Sequence, residues 1–185
     1  MTELLKNIMP PDRIDELISI GQAKTVNSTE YFVRAGEIPR KLAFVISGLF
    51  RYVYISNKGS EFTKGIITEN NFISSYSAMI TKSPSHFFIE ALENSEIFEI
   101  SYEKWLILLE TDTFWIRFLL GYIEKAFSIK EKRERDLLLL DAETRYDDFM
   151  KEFPGIQKRI KQNIIASYLG IQPESLSRIK KKKST

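Results

Sequence analysis

Glu174 and Arg178 stand four residues apart within the stretch QNIIASYLGIQPESLSRIKKKK, Gln162 to Lys183. Four residues is about one helical turn, so both side chains would project from one helix face. On a helix lying in the major groove of a duplex, a guanidinium can bond guanine O6 and N7 together. A carboxylate there can accept from cytosine N4, or orient the arginine one turn away. Ser175 is a third candidate for base contact, and its small size suits a groove about 12 Å wide. Lys161, Gln162, Ser177, Lys180, Lys181 and Lys182, with Lys183 closing the run, are candidates for contact with phosphates.

Such residues act only if two short helices hold them at a fixed angle. Ile164, Ile165 and Leu169 are spaced to bury one face of a first helix, and Ala166 is small where two helices would cross closely. Gly170 can take a positive φ and end that helix, and Ile171 fills the corner. Gln172-Pro173-Glu174 then starts a second helix, with proline at a tolerated first-turn position and Glu174 near the positive end of the dipole. Leu176 and Ile179 would point inward. This order predicts a helix-turn-helix with small polar and basic residues outward. The bland alternative is a C-terminal helical hairpin with a solvated basic face, or one that binds a protein.

The charge distribution favours a polyanion partner. Residues 155–185 carry eight Lys or Arg against the single acid Glu174, a local charge of +7, which leaves −5 on residues 1–154. No cysteine is present, which excludes disulfides, cysteine-ligated zinc or iron–sulfur centres and cysteine nucleophiles. One histidine, no clustered metal ligands, no GxSxG and no P-loop leave nothing that singles out catalysis. No apolar run reaches the length of a membrane span, and MTELLKNIMPPDRIDEL lacks the apolar core of a signal peptide, so a cytoplasmic location is expected. No cofactor is evident.

Ahead of that module the texture is different. Residues 10–20, PPDRIDELISI, read as a short helix with Ile14, Leu17 and Ile18 on one face. From Ala23 to Ile100, short runs rich in Val, Ile, Phe, Tyr and Thr alternate with turn signals, and Asn57-Lys58-Gly59-Ser60 reads as a hairpin tip. Several short strands with tight turns predict a small antiparallel barrel or roll. The period changes at Glu103. After a short helix, Thr111-Asp112 offer a cap for a much longer one. Its apolar residues form two adjacent stripes, 115/119/122/126/129 and 116/120/123/127. One stripe suffices to seat a helix on its own domain; the other is available to a second chain, which predicts a parallel helix–helix dimer. Trp115, Leu119, Tyr122, Ala126 and Ile129 are assigned to that seam. The alternative is a helix buried on two sides within one chain. The charged run KEKRERD is expected to emerge into solvent. A further helix is expected from Asp141, its candidate N-cap, to the stop at Pro154-Gly155.

IASYLGIQPESLSRIKKK resembles, almost throughout, the helix-turn-helix segment of the CRP/FNR family of bacterial transcription regulators. Glu174 and Arg178 fall where that family carries Glu and Arg readers; a third reader, Arg in some members, falls at Pro173. VRAGE, FVISGLFRYVYISNKGSE and EISYEKW resemble the cyclic-nucleotide-binding β-roll, and the long helix after Asp112 resembles the family's dimerisation helix. The resemblance implies an α+β fold: a jelly-roll-like β-roll over residues 1–112, a dimerisation helix over 113–140, and a (winged) helix-turn-helix over 141–185. It implies a homodimer on two-fold symmetric double-stranded DNA that recruits or blocks RNA polymerase. Members that bind cyclic AMP use a Gly-Glu pair and an Arg-Ser pair. These positions fall at Ser74-Ser75 and at Ser85-His86, so the arginine is missing and a cyclic phosphate would find its charge poorly compensated. Cyclic AMP is therefore not expected to bind in the usual mode, and the effector is unknown. Only a protonated His86 would replace the missing cation; haem ligation is a second use for the residue, although a lone histidine is more often structural or superficial.

Overall fold

The computed structural model describes residues 1–183. The chain separates into two compact units, Met1–Glu110 and Thr111–Thr185. The first opens with α1 (Thr2–Leu5) and α2 (Pro11–Ser19), whose buried Ile14 and Leu17 form the inner face expected of it. Eight strands follow: β1 (Gly21–Val26), β2 (Tyr31–Val33), β3 (Lys41–Ser47), β4 (Phe50–Ile55), β5 (Glu61–Ile67), β6 (Phe72–Ile73), β7 (Phe88–Ala91) and β8 (Ser95–Ser101). They make two four-stranded antiparallel sheets, β1-β8-β3-β6 and β2-β7-β4-β5. The first and last strands pair from Gly21↔Ile100 to Val26↔Ser95, with β1 at the edge of its sheet. Between β6 and β7 the chain makes one short helix, α3 (Tyr76–Ile80).

Alternation explains the core. Phe50 on β4 and Ile89 and Ala91 on β7 turn inward to meet Val26, Val45 and Ile97 of the other sheet in one buried cluster. Residues between them turn the other way: Arg51 pairs with Glu90 at 2.6 Å and with Glu61 at 2.7 Å, tying β4 to both its neighbours. Glu99 on β8 takes Lys24 of β1 at 2.5 Å and Lys41 of β3 at 2.9 Å. The turn from β3 to β4 requires glycine: Gly48 has φ 106°, and a Cβ there would stand 2.1 Å from Ser95 Oγ. At the β4–β5 tip, Gly59 has φ 79° and donates to the Ser56 carbonyl, as the hairpin reading of 57–60 expects.

A short α4 (Tyr102–Thr111) leads to the second unit, which is helical throughout its described residues. Its elements are α5 (Thr113–Leu139), α6 (Ala142–Glu152), a single 3-10 turn at Ile156–Lys158, α7 (Gln162–Leu169) and α8 (Pro173–Lys183). Asp112 caps α5 by accepting from Phe114 N at 2.8 Å, and Asp141 caps α6 by accepting from Thr144 N at 2.8 Å. The wing suggested by the resemblance has no strand among the described residues. Between α6 and α7 the chain turns at Gly155, φ 77°, into the 3-10 turn instead of extending.

Candidate nucleic-acid interface

The site is built on α7. Its buried face is Ile164, Ile165, Ala166, Tyr168 and Leu169. Gly170 adopts the left-handed conformation, φ 66°, and donates to the Ser167 carbonyl, while Ile171 N donates to the Ala166 carbonyl at 3.0 Å. That pair of bonds is a Schellman stop, and it aims the chain into α8. Helix α8 packs on α7 with Leu176 and Ile179 buried.

Two arginines that sequence reasoning did not single out hold α7 in place. The last carbonyls of a helix have no partner within it. Arg133 of α5 donates to the Tyr168 carbonyl at 2.6 Å and stacks its guanidinium 3.9 Å from the centre of the Tyr168 ring. Arg145 of α6 donates to the Leu169 carbonyl at 3.1 Å and also to the Leu140 carbonyl. Cations at the negative end of a helix dipole are favourable as well as bonded. Tyr168 in turn packs on Phe149 of α6 and on Phe153 just beyond its end, with ring centres 5.2 and 6.0 Å away. Lys130, Glu131, Lys132, Glu134 and Arg135 of the run KEKRERD are exposed as expected, and only Arg133 and Asp136 depart from it. Arg133 is half-buried, and Asp136 is buried between Lys132 at 2.8 Å and Arg135 at 3.0 Å. The hydrogen bond from Lys132 leads the causes that hold the Asp136 carboxyl below its ordinary range.

The outward face of α8 carries Glu174, Ser177, Arg178 and Lys181, all exposed, and Ser175 at its margin, half-buried. Among the described residues no hydrogen bond or ion pair holds the Glu174 or Arg178 side chain. Glu174 therefore does not hold Arg178 in this structure, and both heads are presented to solvent. Lys161 and Gln162 are exposed at the start of α7. The end of the lysine run differs from expectation. Lys182 pairs with Glu143 at 2.8 Å and Lys183 with Asp147 at 2.7 Å, both acids on α6. The reason is geometric: at 100° per residue Lys183 falls on the face of Leu176 and Ile179, turned toward the body, with Lys182 beside Arg178. Lys182 and Lys183 thus brace the last turn of α8, whereas Lys181 lies on the outward face.

Helix α5 carries the second surface. Of the five residues assigned to the seam, Trp115 is fully buried within the single chain, Leu119 and Tyr122 are half-buried, and Ala126 and Ile129 are exposed. Trp115 lies against the rings of Phe114 and Phe118. The neighbouring stripe is the bare one: Ile116, Leu120, Ile123 and Phe127 are 41–64% exposed, and Leu138 continues the same face. Periodicity marks both stripes equally and cannot say which turns inward.

In the roll, the structure joins two of the four effector positions and leaves Ser74 and His86 apart from that pair. The Ser75 and Ser85 hydroxyls are buried and hydrogen-bonded at 2.9 Å. The Ser74 hydroxyl instead lies 3.9 Å from Met79 Sδ, and Ser74 N donates to the Tyr52 hydroxyl at 3.3 Å. His86 is exposed. No group of His, Asp or Glu side chains suited to a metal ion occurs among the described residues.

Residues 23–112 match the family model of the cyclic nucleotide-binding domain. No curated relative is matched. Among solved structures, the chain superposes on the c-di-GMP-responsive global regulator CLP of Xanthomonas campestris with a TM-score of 0.77 at 18% identity, covering 95% of this chain and 92% of that one. FixK2 of Bradyrhizobium japonicum matches with a TM-score of 0.77 at 16% identity, covering 88% and 84%. The catabolite activator protein of Thermus thermophilus matches with 0.61 at 17% identity, covering 98% and 86%. The chain as a whole has the fold of the CRP/FNR regulators: a β-roll of two antiparallel sheets, a long helix, and C-terminal helices arranged as a helix-turn-helix.

Proposed function

We propose that this chain is a sequence-specific DNA-binding transcription regulator that acts as a homodimer. The observation that carries the reading is the exposed outward face of α8, with Glu174 and Arg178 unpaired on a helix anchored by Leu176 and Ile179. A helix so anchored loses little freedom on entering a groove, and its free guanidinium is positioned to take guanine O6 and N7. Glu174 and the marginal Ser175 would address neighbouring bases. Lys161, Gln162, Ser177, Lys180 and Lys181 would meet phosphates. Lys182 and Lys183 would act first as braces.

The dimer would form along α5, with Ile116, Leu120, Ile123 and Phe127 meeting their counterparts in a parallel seam. Two recognition helices would then face successive major grooves about 34 Å apart, which requires a two-fold symmetric operator. The work is binding, not catalysis, and its output would be the recruitment or blocking of RNA polymerase. Cyclic AMP would not bind in the family's usual way, because Ser85 and His86 supply no guanidinium for its phosphate.

Two substitutions test the reading against an operator duplex. Arg178→Ala is expected to weaken binding by about 1–3 kcal/mol and to relax preference at one base pair per half-site. Lys181→Ala is expected to weaken all duplexes alike and to reduce the salt slope by about one unit. Equal loss across all sequences for Arg178→Ala would count against base reading by that residue.

A further inference from the structure

We propose that Lys130 and Glu134 form a charged layer across the α5 seam, each meeting its opposite on a second copy of this chain, and that this layer fixes a parallel, in-register pairing. The inference rests on the reading of the chain as a dimer along α5, and it names what selects the partner.

The observation is a charged interruption in an exposed apolar face. At about 100° per residue, Lys130, Glu134 and Leu138 continue the stripe that runs from Ile116 to Phe127, each within about 40° of Ile116. Phe127 is 64% exposed on one side of the pair and Leu138 77% exposed on the other. Both charged side chains are exposed, and among the described residues no hydrogen bond or ion pair holds either one. Most of the run around them is engaged within the chain. Lys132 and Arg135 hold Asp136, and Arg133 holds the Tyr168 carbonyl. Glu131 is exposed at the margin of the stripe.

A second copy is the occupant that this pattern fits. Covering Phe127 and Leu138 carries the charged pair into the interface with them. In a parallel, in-register pair of identical helices, seam positions three and four apart interlock, so Lys130 of each chain lies against Glu134 of the other. The layer then holds two ammonium and two carboxylate groups, alternating and neutral in sum. A fully overlapping antiparallel pair would set the same groups against the apolar level of Ile116 and Leu120, where a desolvated charge finds no counter-ion. A chain of different sequence at this level would bring like charges together or leave one unpaired. Polar side chains at single seam positions fix register and orientation in this way, at a cost in stability.

The test is sedimentation equilibrium of the full chain at low ionic strength, with Lys130→Glu and Glu134→Lys made separately. The first leaves only carboxylates in the layer and the second only ammonium groups. Each alone is expected to dimerise about tenfold more weakly than wild type. Mixed in equal amounts, the two regain opposite charges across the seam. A mixed dimer within about threefold of the wild-type Kd is therefore expected to dominate, reported by a fluorescent label on the N-terminus of one variant. K130E/E134K, which exchanges the charges within each chain, should dimerise as wild type does. Matched monomer melting temperatures would show that the variants fold. Single variants that dimerise as tightly as wild type, or a mixture with no preference for the mixed dimer, would overturn the layer. In that event a wild-type dimer that Phe127→Ala still weakens leaves the seam standing, whereas a wild type that is monomeric throughout the concentration series overturns both.

Discussion

Phe127→Ala separates the dimer seam from the fold of the chain. Phe127 is 64% exposed in the single chain, so truncating it removes little from the monomer. A phenylalanine buries roughly 200 Å² in full, which leaves about 130 Å² per chain for a partner to cover. At about 25 cal/mol per Å² that is about 3 kcal/mol per copy and about 6 per symmetric dimer. A two-helix seam that covers half of this area gives about 3 kcal/mol per dimer, or more than about 100-fold in the dimer Kd. Sedimentation equilibrium across a concentration series measures that constant directly, and thermal melting at a concentration where the variant is monomeric reads the fold. The expected result is a dimer weakened by two orders of magnitude or more, with monomer secondary structure unchanged. Trp115→Ala is the control: that side chain is fully buried in the single chain, so its loss should cost the chain about 3–5 kcal/mol of folding stability. A dimer constant unmoved by Phe127→Ala would refute the assignment of the seam to this stripe.

Three further outcomes follow from particular contacts. Arg133→Met strips the Tyr168 carbonyl of its donor and the ring of its cation, so the second unit should lose about 1–3 kcal/mol in denaturant unfolding; Arg133→Lys should recover only part, because an ammonium cannot stack and bond in one plane. Gly170→Ala forces a side chain into a left-handed residue and sets its Cβ 3.1 Å from Leu137 Cδ2, so a loss of about 1–2 kcal/mol is expected, read by chemical denaturation. Burial raises the Glu99 carboxyl, but the hydrogen bonds and charges of Lys24 and Lys41 outweigh it and hold the group below its ordinary value of 4.5. Its stabilising contribution is present above 4.5 and disappears as pH falls through the lower folded value. Glu99→Gln should therefore flatten the acid limb of the stability curve and change little in its shape near neutrality.

Much of this was legible in the chain itself. The helix-turn-helix could be read because its signals are local: a glycine able to turn left-handed, a proline at a first turn, and two apolar pairs at helical spacing. Asp112 and Asp141 marked their helices for the same reason. What stayed hidden was long-range. Arg133 sits in a charged run that reads as solvated, and only the fold reveals a carbonyl 35 residues away for it to cap. The lysine run reads as one block until the helix turns Lys183 toward Asp147. Both stripes of α5 are apolar at helical spacing, and only packing decides which becomes core and which stays bare.

The central claim is tested most directly by fluorescence anisotropy of the unliganded protein against the DNA upstream of its own operon. A scrambled duplex of equal length runs beside it at two salt concentrations. The account predicts tight binding to the native duplex that persists at the higher salt, a ratio between duplexes of about a thousandfold or more, and collapse of that ratio in Arg178→Ala. Equal and salt-labile binding to both duplexes, unchanged by Arg178→Ala, would contradict it and reduce the C-terminal unit to a basic surface.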